Sequence, residues 1–351
     1  MAMAGRMFPW WAVVFPLLGL VEVVFAKSLP VALVAIGLVG CVFASVQLAE
    51  VVAHRLGDLL GSLVLAVSIT VIEAGLIVSM MLAGGEPTVA RDAIFAALMI
   101  ALNGVLGVCL LLGGGRHHAQ SFKSSASNAF LAVLIPLVAL TLVLPNHTVS
   151  APGPVYSAPQ LIFVAVVALL LYGGFLYVQL IRHRADFIAD HGVTHGPRPS
   201  GAQALLALAL LLAALASVVL LAKTLAPVLE GAVLGAGLPI ALVGVAIAAL
   251  VLLPEGLTAV RAAARNNLQT ALNLTFGSVL ACVGLTIPAV AVVALVTGES
   301  LHLGIEPAML VLLVTTFLLL AVTSGAGRTT VLEGVVHLAV FAAFIAFSFL
   351  P

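Results

Sequence analysis

Charge is what this chain has least of. Only 7% of its 351 residues are Asp, Glu, Lys or Arg, while 63% are hydrophobic; a typical soluble domain is about a quarter charged and roughly half apolar. A soluble globule so poor in charge would have almost nothing to cover its surface, which excludes a soluble enzyme, a nucleic-acid binder and a disordered scaffold. Basic and acidic residues number 13 each, so the formal net charge is zero and no basic footprint for nucleic acid exists. Cysteine is scarce too. Cys41, Cys109 and Cys282 each lie in an apolar run, without a C-x-x-C pair or a neighbouring His, and read as buried small hydrophobes rather than disulfide or metal residues. Also missing are H-E-x-x-H, a D-D-x-x-D acid pair, G-x-S-x-G and a Gly-rich phosphate loop, so an intramembrane enzyme has no visible chemistry.

What the chain has instead is long apolar runs. A helix needs about 20 such residues to cross a bilayer. Runs of that kind fall at 8–26, 29–53, 58–83, 93–115, 125–146, 159–181, 203–225, 232–261, 269–297, 307–324 and 329–350. They are too long for barrel strands, which alternate over about ten residues. The first run follows Arg6 and resembles a signal peptide, but no A-x-A site follows it, so it reads as the first membrane helix. The expected fold is an all-α polytopic membrane bundle of about 11 transmembrane helices. The joint at 222–232 is the least marked of its boundaries.

The basic residues predict an orientation. With the N-terminus cytoplasmic, Arg6, Arg55, Arg116, Lys123, Arg182, Arg184, Arg198, Arg261, Arg265 and Arg328 fall inside, and only Lys27, Arg91 and Lys223 fall outside, which accounts for all 13. That bias fits the positive-inside rule and an odd number of spans, with the C-terminus on the opposite side. The longest polar stretch, 182–200, lies in a cytoplasmic linker (182–202) that, with an N-terminal helix (1–27), leaves a five-helix half (28–181) and a second five-helix half (203–351). Two five-helix halves must enter the membrane from opposite sides, an inverted-repeat plan that places transporter sites near the bilayer midplane.

Two acids stand where acids are costly. Glu73 lies in TVIEAGLIVS (70–79), the second span of the first half. Glu255 lies in VLLPEGLTAVR (251–261), the second span of the second half. Inverted repeats would make them symmetry mates. Two carboxylates neutralise a divalent ion, and oxygen ligands suit a hard cation such as Ca²⁺. Without the metal, two such groups in low dielectric cannot both stay ionised, so protons replace the cation and the two fluxes are coupled. Glu73 and Glu255 are therefore the expected metal and proton ligands. Pro254, followed by Gly256, predicts a broken helix whose freed carbonyl could complete an ion's shell, or a packing kink.

Neutral oxygen ligands are offered by Asn103 in the third span of the first half, and by Asn273, Thr275 and Ser278 in that of the second; interhelical hydrogen bonding is the competing role. Glu50, four residues before His54, is a candidate for proton or cation access at the cytoplasmic mouth, with a merely interfacial position as the alternative. Glu333 and His337 share a helix face at i, i+4, as a structural pair. Glu22 and Glu230 read as interfacial. His183, Asp186, Asp190, His191 and His195 crowd the linker, which reads as a solvated loop.

These blocks resemble the calcium/cation:proton antiporter family of CAX type, within the calcium:cation antiporter superfamily, from about residue 45 onward. LAEVVAHRLGDLLGSL (48–63) running into Glu73 resembles the family's first repeat. LLPEGLTAVRAA (252–263), followed by NNLQTALNLTFGS, resembles its second, and GRTTVLEGVVHL (327–338) its last helix. The resemblance implies that Glu73 and Glu255 bind the exchanged cation and its competing protons, with Asn103 and Ser278 on polar positions beside them. Many members carry G-N-x-x-E in each repeat; here Ile69–Ile72 and Val251–Pro254 precede the glutamates, so Thr70 can supply a hydroxyl ligand where the family has Asn, whereas Leu252 cannot. That departure resembles the bacterial branch associated with Na⁺ or K⁺ as well as Ca²⁺.

The expected function is thus a secondary cation:proton antiporter of a bacterial inner membrane, exporting Ca²⁺, or Na⁺ or K⁺, by alternating access. It needs no cofactor; its partners are lipid, cations and protons, and a homo-oligomer stays open. A passive cation channel is the rival, but the spans hold few polar positions to line a pore.

Overall fold

The computed structural model describes residues 9–26, 28–82, 86–187 and 198–350, with backbone only at 58–63, 65 and 66. The apolar runs fold as helices, as their length and their Leu and Ala content favour. They are α1 (Trp10–Phe25), α2 (Val31–Leu56), α3 (Asp58–Leu82), α4 (Val89–His117), α5 (Ser124–His147), α6 (Ala158–Arg182), α7 (Gly201–Gly235), α8 (Ala241–Ala264), α9 (Leu268–Thr297), α10 (Pro307–Gly325) and α11 (Val331–Phe349). Among the described residues nine helices are long and apolar enough to cross a membrane, and Trp10–Phe25 and Val67–Leu82 are shorter apolar segments.

Two expectations fail locally. The joint at 222–232 does not exist: α7 runs unbroken for 35 residues through Lys223, Pro227 and Glu230, and α8 starts at Ala241. A proline costs a helix one hydrogen bond, and the Leu- and Ala-rich sequence on both sides carries the helix past it. At 1.5 Å per residue α7 is about 52 Å long, well beyond the roughly 30 Å hydrocarbon layer. Of the two readings of Pro254, the broken helix is not what forms: α8 is continuous from Ala241 to Ala264.

The helices cluster into two compact units. The first contains α1, α2, α3 and α7 as far as Ala232. Small residues let its helices approach closely: the Cys41 Sγ reaches the Phe15 carbonyl at 3.2 Å, and the Ser79 hydroxyl bonds both its own helix at Gly75 (2.6 Å) and the Val219 carbonyl of α7 (3.2 Å). Glu22 is not merely interfacial. Its carboxylate lies where a Cβ on Gly37 would stand, and its Oε2 is buried without a hydrogen-bond partner.

The second unit contains α4–α6 and α8–α11. Its centre is α4, the most enclosed of the long helices, packed against α8 and α11. At one end Arg91 pairs with Asp92 at 2.8 Å and donates to the Gly304 carbonyl at 3.1 Å, while Asn146 donates to the Ile305 carbonyl at 2.6 Å. At the other end Gln120 donates to the Ala263 carbonyl at the end of α8 (2.9 Å). There Phe187, from a one-turn helix at Arg184–Phe187, enters a cluster with Phe130, Phe175 and Phe276. Cys41, Cys109 and Cys282 are buried free thiols, as expected.

Candidate cation site

Glu255 sits near the middle of α8, beside the helix that forms the centre of its unit. Gly244 and Gly256 allow the close approach. A Cβ at Gly244 would lie 2.7 Å from the Ala93 backbone nitrogen, and one at Gly256 would lie 3.1 Å from Val105 Cγ2. Pro254 has no N–H for the Leu250 carbonyl, and the Thr258 hydroxyl folds back on the Pro254 carbonyl at 3.0 Å.

Around Glu255 is a cavity of about 10 Å³. That is room for roughly one water, or one ion stripped of its shell. Glu255, Leu252, Gly256 and Ala259 line it from α8, Leu274, Thr275 and Ser278 from α9, and Ala101 and Val105 from α4. Thr275 and Ser278, three residues apart on one helix face, bring hydroxyls to the same side. Ser278 hydrogen-bonds the Glu255 carboxylate. Thr275 donates its proton to the Ala271 carbonyl at 2.8 Å, which leaves its oxygen lone pairs free to accept. The Glu255 Oε2 is buried with no hydrogen-bond partner. A buried, unsatisfied carboxylate oxygen is costly, and a cation or a proton on it would remove that cost. Among the described residues no three His, Cys, Asp or Glu side chains assemble a resident metal centre.

The other expected residues have different surroundings. Asn103 is fully buried but does not line this cavity. Its Nδ2 donates to Thr316 Oγ1 at 2.8 Å, and its Oδ1 faces His337 Nδ1 at 3.1 Å. Asn273 also serves packing: it donates to the Phe187 carbonyl at 2.5 Å and accepts from Gln269 at 3.0 Å, tying the start of the linker to α9. Both amides therefore spend their hydrogen bonds on helix packing. Glu73 and Thr70 are buried on α3 in the first unit. Glu50 is exposed towards the end of α2, where Gln47 donates to it at 3.3 Å.

Glu333 does not pair with His337 by a hydrogen bond. It caps α11, accepting from the Thr330 backbone at 2.9 Å and from its hydroxyl at 2.6 Å. In the linker His183 and Asp186 form an exposed pair at 3.7 Å, whereas Asp190, His191 and His195 lie outside the described residues. The sequence reading missed Thr316 and Thr323. Seven residues apart on a mostly apolar helix, they present two hydroxyls to one face, a signal for a polar seam between membrane helices.

The model of the sodium/calcium exchanger protein family matches residues 29–181 and 206–350. The chain belongs to this family. The matched segments take in α2–α6 and nearly all of α7–α11, and leave α1 and the linker outside. The y4hA protein of Sinorhizobium fredii, an ionic transporter by name, is 46% identical over 98% of the chain and 97% of its own length. The sodium-potassium/proton antiporter ChaA of Escherichia coli is 35% identical over 95% of the chain and 94% of its length. Among solved structures, native YfkE superposes with a TM-score of 0.74 at 19% identity, covering 97% of the chain and 99% of that structure, a likeness of fold. This member of the sodium/calcium exchanger family is a multi-pass membrane transporter, not an enzyme.

Proposed function

We propose that this exchanger is a cation:proton antiporter in which a dehydrated cation and a proton compete for the Glu255 carboxylate. One observation carries the reading: a carboxylate oxygen buried without a partner, beside a cavity the size of a single ion, with two hydroxyls on the same wall. The cation would take Glu255 and the Ser278 and Thr275 oxygens as ligands, the hard-oxygen set that Na⁺, K⁺ and Ca²⁺ prefer. As the cation leaves, a proton on Oε2 satisfies the same orphan atom, so the site need never hold a bare buried charge. Exchange follows because one pair of oxygens serves both ions in turn.

Glu73, at the matching place in the first half, is the second carboxylate of this reading, with Thr70 one turn before it. The two halves would rock about the site in alternating access. Similarity to ChaA supports Na⁺ and K⁺ as cargo, and the family's name supports Ca²⁺. The ten-to-three bias of basic residues supports a cytoplasmic N-terminus in a bacterial plasma membrane.

The test is transport in vesicles. With the protein reconstituted around an internal pH dye and a pH gradient imposed, adding Na⁺, K⁺ or Ca²⁺ in turn should dissipate the gradient for at least one ion, and the assay ranks them. Glu255→Gln and Glu73→Gln should each abolish the response, since an amide cannot alternate between cation and proton. Cation flux that moves no protons would favour a channel and refute the reading.

A further inference from the structure

We propose that His337 is a positioning residue for the exchange: through Asn103 it holds the α4 turn that forms the cavity wall opposite Glu255, and so sets which cation fits. The inference rests on the Glu255 cavity being the ion site. It arises from a feature of α4, which is not α-helical throughout. Ile100–Val105 forms a π-turn, with one residue more per turn than the α-helix accommodates, an arrangement that recurs at functional sites; here neighbours outside the helix hold it. Ala101 and Val105 of that turn line the cavity. Asn103, between them, points the other way.

The support comes from α11 and α10. Because Asn103 Nδ2 donates to Thr316 Oγ1 (2.8 Å), its amide oxygen faces the imidazole, and the 3.1 Å contact is a bond from His337 Nδ1–H to Asn103 Oδ1, with the Leu102 carbonyl of the same turn also within the ring's reach. His337 Nε2 then accepts from the Thr323 hydroxyl at 3.3 Å, and Thr316 passes its own proton to the Leu312 carbonyl at 2.8 Å. This assigns the neutral imidazole one donor and one acceptor, both used. Asn103, Thr316 and His337 are each fully buried, so the chain of bonds has no water to fall back on.

Packing reinforces it. A Cβ at Gly104 would stand 3.3 Å from the Phe341 ring, and one at Gly107 would stand 2.9 Å from Leu338 Cγ. His337 and Phe341 thus meet Asn103 and Gly104 within the turn, and Leu338 meets Gly107 just beyond it. That helix is otherwise the least enclosed of the long ones, so a fully buried histidine on it has a local task.

The cavity is small enough for this task to matter. Cation–oxygen distances differ between ions by only a few tenths of an ångström, about 2.0–2.1 Å for Mg²⁺ against 2.3–2.6 Å for Ca²⁺. A comparable shift of Val105 changes which ion is accepted. Loss of the His337–Asn103 bond should therefore alter selectivity, whereas a role in folding alone would lower all fluxes together.

The experiment compares His337→Leu, His337→Asn and Thr316→Val with the wild type in reconstituted vesicles. It measures the apparent KM for Na⁺, K⁺ and Ca²⁺ and the ratios between them. Leucine fills the space without a donor and should shift at least one ratio five-fold or more. Asparagine keeps an N–H near the Nδ1 position and should restore the ratio to within two-fold. Thr316→Val removes the partner on the other side of the amide and should shift the ratio in the same direction, which keeps the test decisive should His337→Leu fail to fold. Unchanged ratios in Thr316→Val and in any folded His337→Leu protein, or an asparagine variant as altered as the leucine one, would overturn the proposal. A wild type without cation-dependent proton movement would instead overturn the underlying site assignment.

Discussion

Gly256→Ala separates stability from transport with a single methyl group. The closest neighbour of the new carbon would be Val105 Cγ2 at 3.1 Å, on the boundary of a cavity of about 10 Å³. That separation is several tenths short of the roughly 3.5–4.0 Å optimum for two carbons, so Val105 must yield slightly. Against this strain, alanine inside a helix is favoured over glycine by about 0.5–1 kcal/mol. The two effects oppose each other, and the net stability change should stay within about 1 kcal/mol. Transport should respond quite differently. The methyl takes space that holds roughly one water, and cation-dependent dissipation of a pH gradient should fall at least ten-fold in kcat/KM, with the melting temperature in detergent nearly unchanged. Adding Val105→Ala removes the crowding atom and should recover part of the rate. Wild-type transport by a folded Gly256→Ala protein would refute the placement of the ion beside Glu255.

Ser278→Ala removes the hydroxyl that bonds the Glu255 carboxylate; a hydrogen bond to a charged group is worth about 1.5–3 kcal/mol, so the apparent KM for the cation should rise about ten-fold or more in the same vesicle assay, and a KM within two-fold of wild type would argue against Ser278 as a ligand. Phe187→Ala should cost about 3 kcal/mol, the lower end for a buried phenylalanine, because its ring meets Phe130 at 5.6 Å and Phe175 at 5.8 Å. An unchanged melting temperature would show that the linker's first turn is not anchored there.

Much of the fold was legible because a bilayer permits few solutions. An apolar run of membrane length must satisfy its own backbone, and only a helix does so within one segment. That is why runs such as 125–146 and 269–297 lie almost residue for residue on α5 and α9. The boundary within 222–232 was misread because Lys223, Pro227 and Glu230 carry the marks of a loop, whereas a helix that outlasts the bilayer can carry such residues along its length. At the site, Glu255 stands out by sequence as an acid in an apolar helix, and Ser278 as a hydroxyl in the third span of the second half. The direction in which Asn103 points was not legible. A π-turn rotates the residues beyond it relative to an α-helical count, and apolar periodicity records no such offset. The partners of Asn103 were hidden for a related reason: Thr316 and His337 lie 213 and 234 residues further along the chain.

That separation also bears on how the molecule is made. Asn103 emerges from the ribosome early, and neither of its hydrogen-bonding partners on α10 and α11 exists until synthesis is almost complete. Throughout that interval the amide has only the weakly accepting Met99 sulfur of its own helix, and must be sheltered by the insertion machinery or by makeshift pairing with whichever helices have already arrived. Truncations that stop short of the last helix should therefore be recognised and degraded, even though they contain every residue of the ion cavity itself.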